Sequence, residues 1–239
     1  MRVWDVPAGY LSRQRLLGEH RELHGLASIL VHDKKGYSRH PETLRWAGCL
    51  SGLTRRHAWL VAEMQLRGYR DRTPLDDASG QARWPGVYVT DPGEQFALLR
   101  EKYAGQETGR IELPRSSRVL WEQHRFSVLA RDAAAARTIA RRVARLGAAG
   151  GYDDLARELV ERLREEPAAG AVHAALERMW ACVRHLATPD DRRVAGGSSG
   201  EMLRRTQVLA MLSRDPRLLA STALSELAVF VPAAADRSA

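Results

Sequence analysis

The sequence predicts an all-α protein made of two helical domains. Apolar residues recur every three or four positions through most of the 239 residues, and no segment alternates apolar and polar residues as a half-buried strand does. From Arg118 onward the chain is also rich in Ala, Leu and Arg, a composition that favours helices packed on helices. We therefore expect one helical domain at residues 1–114 and a multi-helix domain at 115–239, joined by a linker between Gly105 and Ser117.

The first helix is predicted from the apolar spacing that follows Gln14. The residues at helical intervals are Leu16, His20, Leu23, Ala27 and Leu30. Glu22 falls on a different face, between Gly18 and Gly25. Glycine inside a helix costs about 1 kcal/mol relative to alanine, so two glycines around one carboxylate suggest that a large molecule approaches this face. Ordinary tolerance of glycine is the alternative.

The rest of the first domain is predicted as a second helix from Arg39 to Tyr69, a loop and a short closing helix from about Asp91 to Tyr103. His57 lies beside the apolar stripe of the second helix, where a core histidine is more common than a ligand. Residues 71–93 are rich in Asp, Pro and Gly and are predicted as the loop. Its Trp84 either stacks on a displaced base or fixes the loop to the helices.

The second domain is predicted to contain only helices. The predicted segments are a helix pair from 118 to 146 and further helices at about 152–165, 169–187, 200–213 and 216–230.

Charge is distributed unevenly, and the excess is positive. The whole chain has a net charge of +8 and a pI of about 10.1. Residues 1–75 hold 13 Lys and Arg against 7 Asp and Glu, whereas the remainder holds 24 against 22. A basic first domain favours a polyanionic partner there, although a basic surface that binds nothing is the alternative.

Several kinds of site are not indicated by the sequence. The two cysteines, Cys49 and Cys182, are far apart, so they indicate neither a disulfide framework nor a cysteine metal site. No glycine-rich phosphate loop, zinc-ligand spacing, serine-nucleophile elbow or dinucleotide fingerprint is present. We therefore predict no cofactor and no metal. The chain also lacks a long apolar run and a signal-peptide pattern, so a cytoplasmic protein without membrane association is expected.

The first hundred residues resemble the pyrimidine-dimer DNA glycosylases of the phage endonuclease V type. The resemblance is carried by Arg2, Gln14, residues 19–23 (Glu-His-Arg-Glu-Leu) and residues 64–69 (Met-Gln-Leu-Arg-Gly-Tyr). It implies a bifunctional enzyme whose α-amine attacks the sugar C1′, releases the base and then cuts the strand by β-elimination through an imine. The family's essential carboxylate corresponds to Glu22, and its arginines correspond to Arg2 and Arg21.

Two positions depart from the phage pattern. Met1 stands where the phage enzyme exposes a threonine amine, and we expect Met1 to be retained, because removal of methionine normally needs a small second residue. Gly25 stands where the phage pattern has another arginine. An α-amine has a reference pKa of about 7.7–8.0, against about 10.4 for lysine, so α-amines are the more available nucleophiles at neutral pH.

The predicted site therefore combines a nucleophile, a carboxylate and phosphate-binding cations. Met1 and Glu22 are the predicted catalytic residues. The residues predicted to contact DNA are Arg2, Gln14, Arg21, Lys34 and Lys35. The two lysines belong to a basic loop at residues 32–39, which either follows a phosphate backbone or is a solvated turn.

The second domain resembles the uncharacterised helical domain that is fused to thiouracil desulfidases and encoded beside photolyases. The resemblance depends on Trp121, His124-Arg125, Tyr152, His173 and Trp180. It implies an association with nucleic-acid repair or modification. His124 and Arg125 form either an anion or base site, or, in the case of His124, a helix-packing contact.

These observations predict a cofactor-independent DNA repair glycosylase with abasic-site lyase activity, acting on double-stranded DNA that contains a damaged or abasic site. Two alternatives remain at this stage. The first is a nucleic-acid-binding module that keeps the fold without catalysis, and the second is an enzyme that acts on modified nucleosides.

Overall fold

The computed structural model describes residues 1–75, 81–146, 150–168 and 170–231, and within these ranges there is no β-strand. The predicted all-α class is confirmed. The α-helices of this part of the chain are α1 (Arg13–His32), α2 (Pro41–Trp46), α3 (Leu50–Leu66), α4 (Pro92–Lys102), α5 (Ser117–Leu129), α6 (Ala133–Arg145), α7 (Tyr152–Arg164), α8 (Ala171–Val183), α9 (Pro189–Ala195), α10 (Ser199–Ser213), α11 (Pro216–Leu219) and α12 (Ala223–Glu226). Short 3₁₀ helices lie at Ala8–Tyr10, Arg184–Leu186 and Leu227–Phe230.

The helices form two compact units. The first unit comprises Met1–Leu113 together with Tyr152–Arg164, and the second comprises Pro114–Gly151 and Glu165–Ala239. The helix α7, which lies in the predicted domain at 115–239, thus packs within the first unit, where its Tyr152 ring meets the ring of Phe96 on α4. The division of the chain into domains at 1–114 and 115–239 stays a prediction.

The core of the first unit lies between α1 and α3. The predicted apolar face of α1 is buried at Leu16 and Leu23, and α3 contributes Leu53 and Leu60, all with no measurable exposure. Burial of side chains of this size contributes about 1.5–3 kcal/mol each. The Ser12 side chain caps α1 by accepting from the Arg15 amide.

The segment predicted as one helix from Arg39 to Tyr69 is instead two helices, α2 and α3. The break lies at Ala47–Cys49, where Gly48 adopts a φ of 72°. Such a positive φ ends a helix and is readily adopted only by glycine. The change of direction leaves Leu44 on α2 62% exposed.

The loop that follows α3 is described at residues 71–75 and 81–93, so part of the predicted loop at 71–93 lies outside the described residues. The Trp84 ring stacks on Trp59 with a centroid distance of 5.0 Å and meets the edge of Trp46 at 6.0 Å. A side chain at Gly52 would overlap the Arg83 carbonyl, so this glycine permits the close approach of the loop. Trp84 therefore fixes the loop to the helices.

In the second unit, α5 packs against α6, α8 and α12, and α8 packs against α10. His124 on α5 is 1% exposed, and its Nδ1 lies 2.8 Å from the carbonyl oxygen of Leu120. Burial lowers the pKa of His124 to about 4. Of the two interpretations of His124, this geometry fits helix packing.

Two other predicted segments of the second unit differ in the structure. The segment at 216–230 is divided into α11, α12 and a 3₁₀ helix, and α9 was not predicted. Thr188, directly before Pro189, forms a capping box with Asp191 at the start of α9. No helix in the described part of the chain has the length and apolarity that crossing a membrane requires.

Candidate active site

The segment from Met1 to Val6 is extended, and its backbone is bound by side chains from several helices. The amide of Arg2 donates to Glu22 at 2.5 Å, that of Val3 donates to Glu42 at 3.3 Å, and that of Asp5 donates to Gln95 at 2.8 Å. The side chains of Val3, Trp4 and Val6 are buried in the core. A chain terminus held in this way has one reproducible position, as a reacting group requires.

The side chains that hold the segment are themselves fixed by buried ion pairs. Arg56 donates to both carboxylate oxygens of Glu19, at 2.7 and 3.0 Å, and to the carbonyl of Val6 at 3.0 Å. Arg45 pairs with Asp5 at 2.8 Å and with Glu42 at 3.0 Å. Burial raises the pKa of Glu19, and Arg56 opposes that rise. Burial likewise raises the pKa of Glu42, and Arg45 opposes that rise.

Glu22 is the carboxylate nearest to the terminus. Its Oε2 lies 3.5 Å from the Met1 nitrogen and accepts from the Arg2 amide at 2.5 Å. The side chain of Glu22 is 39% exposed, whereas that of Met1 is 11% exposed. The two predicted catalytic residues are thus brought together, although 20 residues separate Glu22 from Arg2.

A cleft of about 410 Å³ opens beside Glu22. Its lining residues are Arg2, Trp4, Gln14, Arg15, Gly18, Glu19, Arg21, Glu22 and Lys102. Four of these are cations and two are carboxylates, and one of the carboxylates is already paired with a buried arginine. The cleft is therefore electropositive, which suits a phosphate-bearing ligand.

The aromatic wall of the cleft positions one of its cations. The Arg2 guanidinium lies 4.4 Å from the centre of the Trp4 ring, within cation–π distance. Burial lowers the pKa of Arg2. A Cβ added to Gly18, which lines the cleft, would meet nothing within 4 Å, and the same is true of Gly25 outside the cleft, so both glycines leave open space next to α1.

The predicted DNA-contacting residues fall into two groups. Arg2, Gln14 and Arg21 line the cleft with Glu22. Lys34 and Lys35 are exposed in the turn after α1, and the ammonium of Lys34 donates to the Ser28 hydroxyl at 2.7 Å. At about 1.5 Å per helical residue, that turn lies roughly 18 Å along the axis from Glu22. The lysines are therefore not part of the cleft.

Sequence reasoning missed three residues of the cleft wall. Arg15 lies seven residues before Glu22, a helical spacing that could have identified it. Trp4 and Lys102 gave no such signal, because their positions depend on how the terminal segment and α4 pack on α1.

A second group of side chains, the histidine cluster, lies at the interface of α1 and α3. It consists of His20 and His24 on α1 and His57 on α3, whose ring nitrogens lie within 4.8 Å of one another. Burial lowers the pKa of His57 to about 4 and also lowers that of His24. The spacing of His20 and His24, one helical turn apart, was the available signal in the sequence.

Comparison with known proteins gives a match to the N-terminal part of the chain, which contains all the cleft-lining residues named above except Lys102. Residues 1–77 match the family model described as pyrimidine dimer DNA glycosylase. Neither a curated protein nor a solved structure is a significant match to this chain. The resemblance predicted from Arg2, Gln14 and residues 19–23 is confirmed over residues 1–77.

Proposed function

We propose that this protein, whose residues 1–77 match a family of DNA-repair glycosylases, removes a damaged base from duplex DNA and cleaves the resulting abasic site. The nucleophile in this proposal is the α-amine of Met1, and Glu22 is the carboxylate that accepts and donates protons during the reaction. The observation that carries the proposal is the position of Glu22 Oε2, which contacts the amide of Arg2 and lies 3.5 Å from the Met1 nitrogen beside an electropositive cleft.

The reaction begins with attack of the neutral amine on C1′ of the target nucleotide. The bond between C1′ and the base breaks, and the base leaves with the bonding electrons and takes up a proton. Loss of a proton from the amine and opening of the C1′–O4′ bond then give an imine, with the proton on O4′. Removal of a proton from C2′ expels the 3′ phosphate by β-elimination, and water hydrolyses the imine to restore the amine.

Glu22 lies 3.5 Å from the Met1 nitrogen, close enough to exchange protons with groups that react there. A carboxylate at this position accepts the amine proton, stabilises the cationic imine and returns the proton to O4′. Its 39% exposure leaves it accessible to DNA. The steps exchange protons and bonds only, so their balance needs no redox partner.

The cleft supplies the binding half of the mechanism. Its volume of about 410 Å³ lies in the range of about 300–1,000 Å³ that is typical of ligand sites. A base, either the damaged one or its partner, turned out of the duplex would occupy such a space while Arg2, Arg21 and Gln14 bind the flanking backbone. We propose that Lys34 and Lys35, which follow α1, also contact the DNA backbone.

Borohydride reduction of the reaction mixture tests the proposal directly. The chain, with its N-terminal residue verified by mass spectrometry, is incubated with a duplex that carries one abasic site. We expect reduction to leave a covalent protein–DNA adduct whose linkage maps to Met1. Acetylation of the amine, or a short N-terminal extension, removes the nucleophile and abolishes the adduct.

The other outcomes separate the alternatives. Tight duplex binding without an adduct indicates a binding module, an interpretation that the glycine at position 25 favours because the phage pattern has an arginine there. An adduct on a lysine contradicts the role of Met1. Turnover of free modified nucleosides in the absence of duplex DNA indicates an enzyme that acts on modified nucleosides. A DNA-repair role also agrees with the predicted cytoplasmic location, which stays a prediction.

A further inference from the structure

We propose that His20, His24, His57 and Asp71 form a binding site for a zinc ion on the side of α1 that faces α3. This site is separate from the cleft. Successive helical residues are rotated by about 100°, so His20 and Glu22 point in nearly opposite directions from the axis of α1. The inference does not depend on the proposed glycosylase activity.

The four side chains converge through one atom each. Nε2 of His57 lies 3.0 Å from Nε2 of His20 and 3.2 Å from Nε2 of His24. Oδ1 of Asp71, in the segment after α3, lies 3.2 Å from Nε2 of His20. Two turns of one helix and a second helix thus bring three nitrogens within 4.8 Å of one another, and the segment after α3 adds one oxygen beside His20.

Hydrogen bonding alone does not account for this arrangement. A neutral imidazole Nε2 carries either one hydrogen or one lone pair, directed along the ring plane. Nε2 of His57 has two other ring nitrogens within 3.2 Å and can form a directed hydrogen bond with only one of them. A single cation between the rings accepts all the lone pairs at once.

The distances fit a metal of the size of zinc. Ligands bound tetrahedrally at about 2.0–2.1 Å from zinc lie about 3.3–3.4 Å from one another. Three of the donor pairs, at 3.0, 3.2 and 3.2 Å, are close to that value, and the three histidine nitrogens all lie within 4.8 Å of one another.

The donor set also selects the ion. Imidazole is the common ligand of zinc, copper, iron and nickel, and a carboxylate completes a four-coordinate zinc site. Magnesium and calcium prefer oxygen donors, so three nitrogens disfavour both ions. His20 and His57 are 7% and 5% exposed, which keeps bulk water from most of the site.

Thr73 supports the carboxylate in the way that outer residues support metal ligands. Its amide donates to Oδ1 of Asp71 at 2.9 Å, and its hydroxyl lies 3.4 Å from the same oxygen. Contacts of this kind orient the ligands of a metal and are part of its affinity. Because four protein ligands form a closed set, the bound zinc is structural, and it ties α1 to α3 and to the segment at 71–73.

Metal analysis of the purified, tag-free chain is the first test. After removal of metal with a chelator, titration with zinc alone is expected to saturate at one ion per chain and to raise the melting temperature. Cobalt(II) in place of zinc is expected to give the intense visible absorption of a tetrahedral site. Absence of saturable binding, or a weak octahedral cobalt spectrum, would overturn the proposal.

Matched variants identify the ligands. His24→Ala and Asp71→Asn are each expected to lower zinc affinity by at least about 10-fold, since loss of an outer contact alone costs about 10–100-fold. His32→Ala removes an exposed histidine from the same helix and is expected to bind zinc as the wild type does. Equal affinity in all four proteins would contradict the assignment. The cobalt spectrum of the wild type decides the matter even if a variant fails to fold.

Discussion

Glu19 and Glu22 lie one turn apart on α1 and have opposite surroundings. Glu19 is 3% exposed, and both of its oxygens accept from Arg56 across the interface with α3. Glu22 is 39% exposed beside the Met1 nitrogen, at the rim of a cleft lined by arginines. The histidines follow the same division, because His20 and His24 lie toward α3 and none lines the cleft.

The comparison shows how two neighbouring carboxylates on one helix can have a structural and a chemical role. A buried carboxylate with a bidentate partner is not accessible to a substrate, and its charge is used in an ion pair that stabilises the fold. A partly exposed carboxylate at the rim of a cleft lined by cations retains its capacity to exchange protons with a ligand. The same substitution should therefore mainly lower activity at Glu22 and mainly lower stability at Glu19.

The largest effect is expected for Glu22→Gln. Loss of a proton-transferring carboxylate should slow cleavage of an abasic duplex by about 10²–10⁴-fold. Duplex affinity should be unchanged or slightly higher, because one negative charge leaves an electropositive cleft. Single-turnover cleavage and fluorescence anisotropy measure the two quantities. Cleavage at the wild-type rate would disprove the role of Glu22.

Glu19→Gln makes the same chemical change one turn away and serves as its counterpart. It leaves Arg56, which is 2% exposed, without its buried counter-ion. Removal of one partner from a buried pair costs about 3–5 kcal/mol, so denaturant unfolding should show a lower free energy of unfolding by about 3 kcal/mol. Glu22→Gln should change it by less than about 0.5 kcal/mol, as exposed positions do. Equal stabilities of the two variants would contradict the structural role assigned to Glu19 alone.

Arg21→Ala and Arg2→Ala test whether the cleft binds phosphate. Each lost contact to duplex DNA should reduce the slope of log affinity against log salt by about 0.9. The matched control is Arg141→Ala, which removes an exposed arginine from α6 of the second unit. If both cleft variants keep the wild-type slope, neither arginine binds a phosphate.

The sequence predicted the helices better than it predicted the contacts between them. Periodicity located α1 and its buried face, and the family resemblance pointed to Glu22. The resemblance implied that Glu22 and Met1 act together, but the contacts that place them follow from neither, because Glu42 and Gln95 bind the backbone of the extended terminus. Such contacts join residues that are 39 and 90 positions apart.

Two other features were missed because local patterns were ambiguous. Apolar spacing continued across Gly48, so the turn between α2 and α3 was hidden within an apparent helix. The histidine cluster needs the register of α1 against α3, and periodicity specifies which face of a helix is buried without specifying what it meets. Only the spacing of His20 and His24 was visible in the chain itself.

The smallest effect, and the finest test of the exposed face, is expected for Gly18→Ala compared with Gly25→Ala. Neither methyl group would meet an atom within 4 Å, so each variant should gain up to about 1 kcal/mol from helix propensity. Gly18 lines the cleft and Gly25 does not. Gly18→Ala should therefore combine a higher melting temperature with weaker binding to an abasic duplex, whereas Gly25→Ala should raise the melting temperature alone. Identical binding by the two variants would mean that DNA does not approach α1 at Gly18.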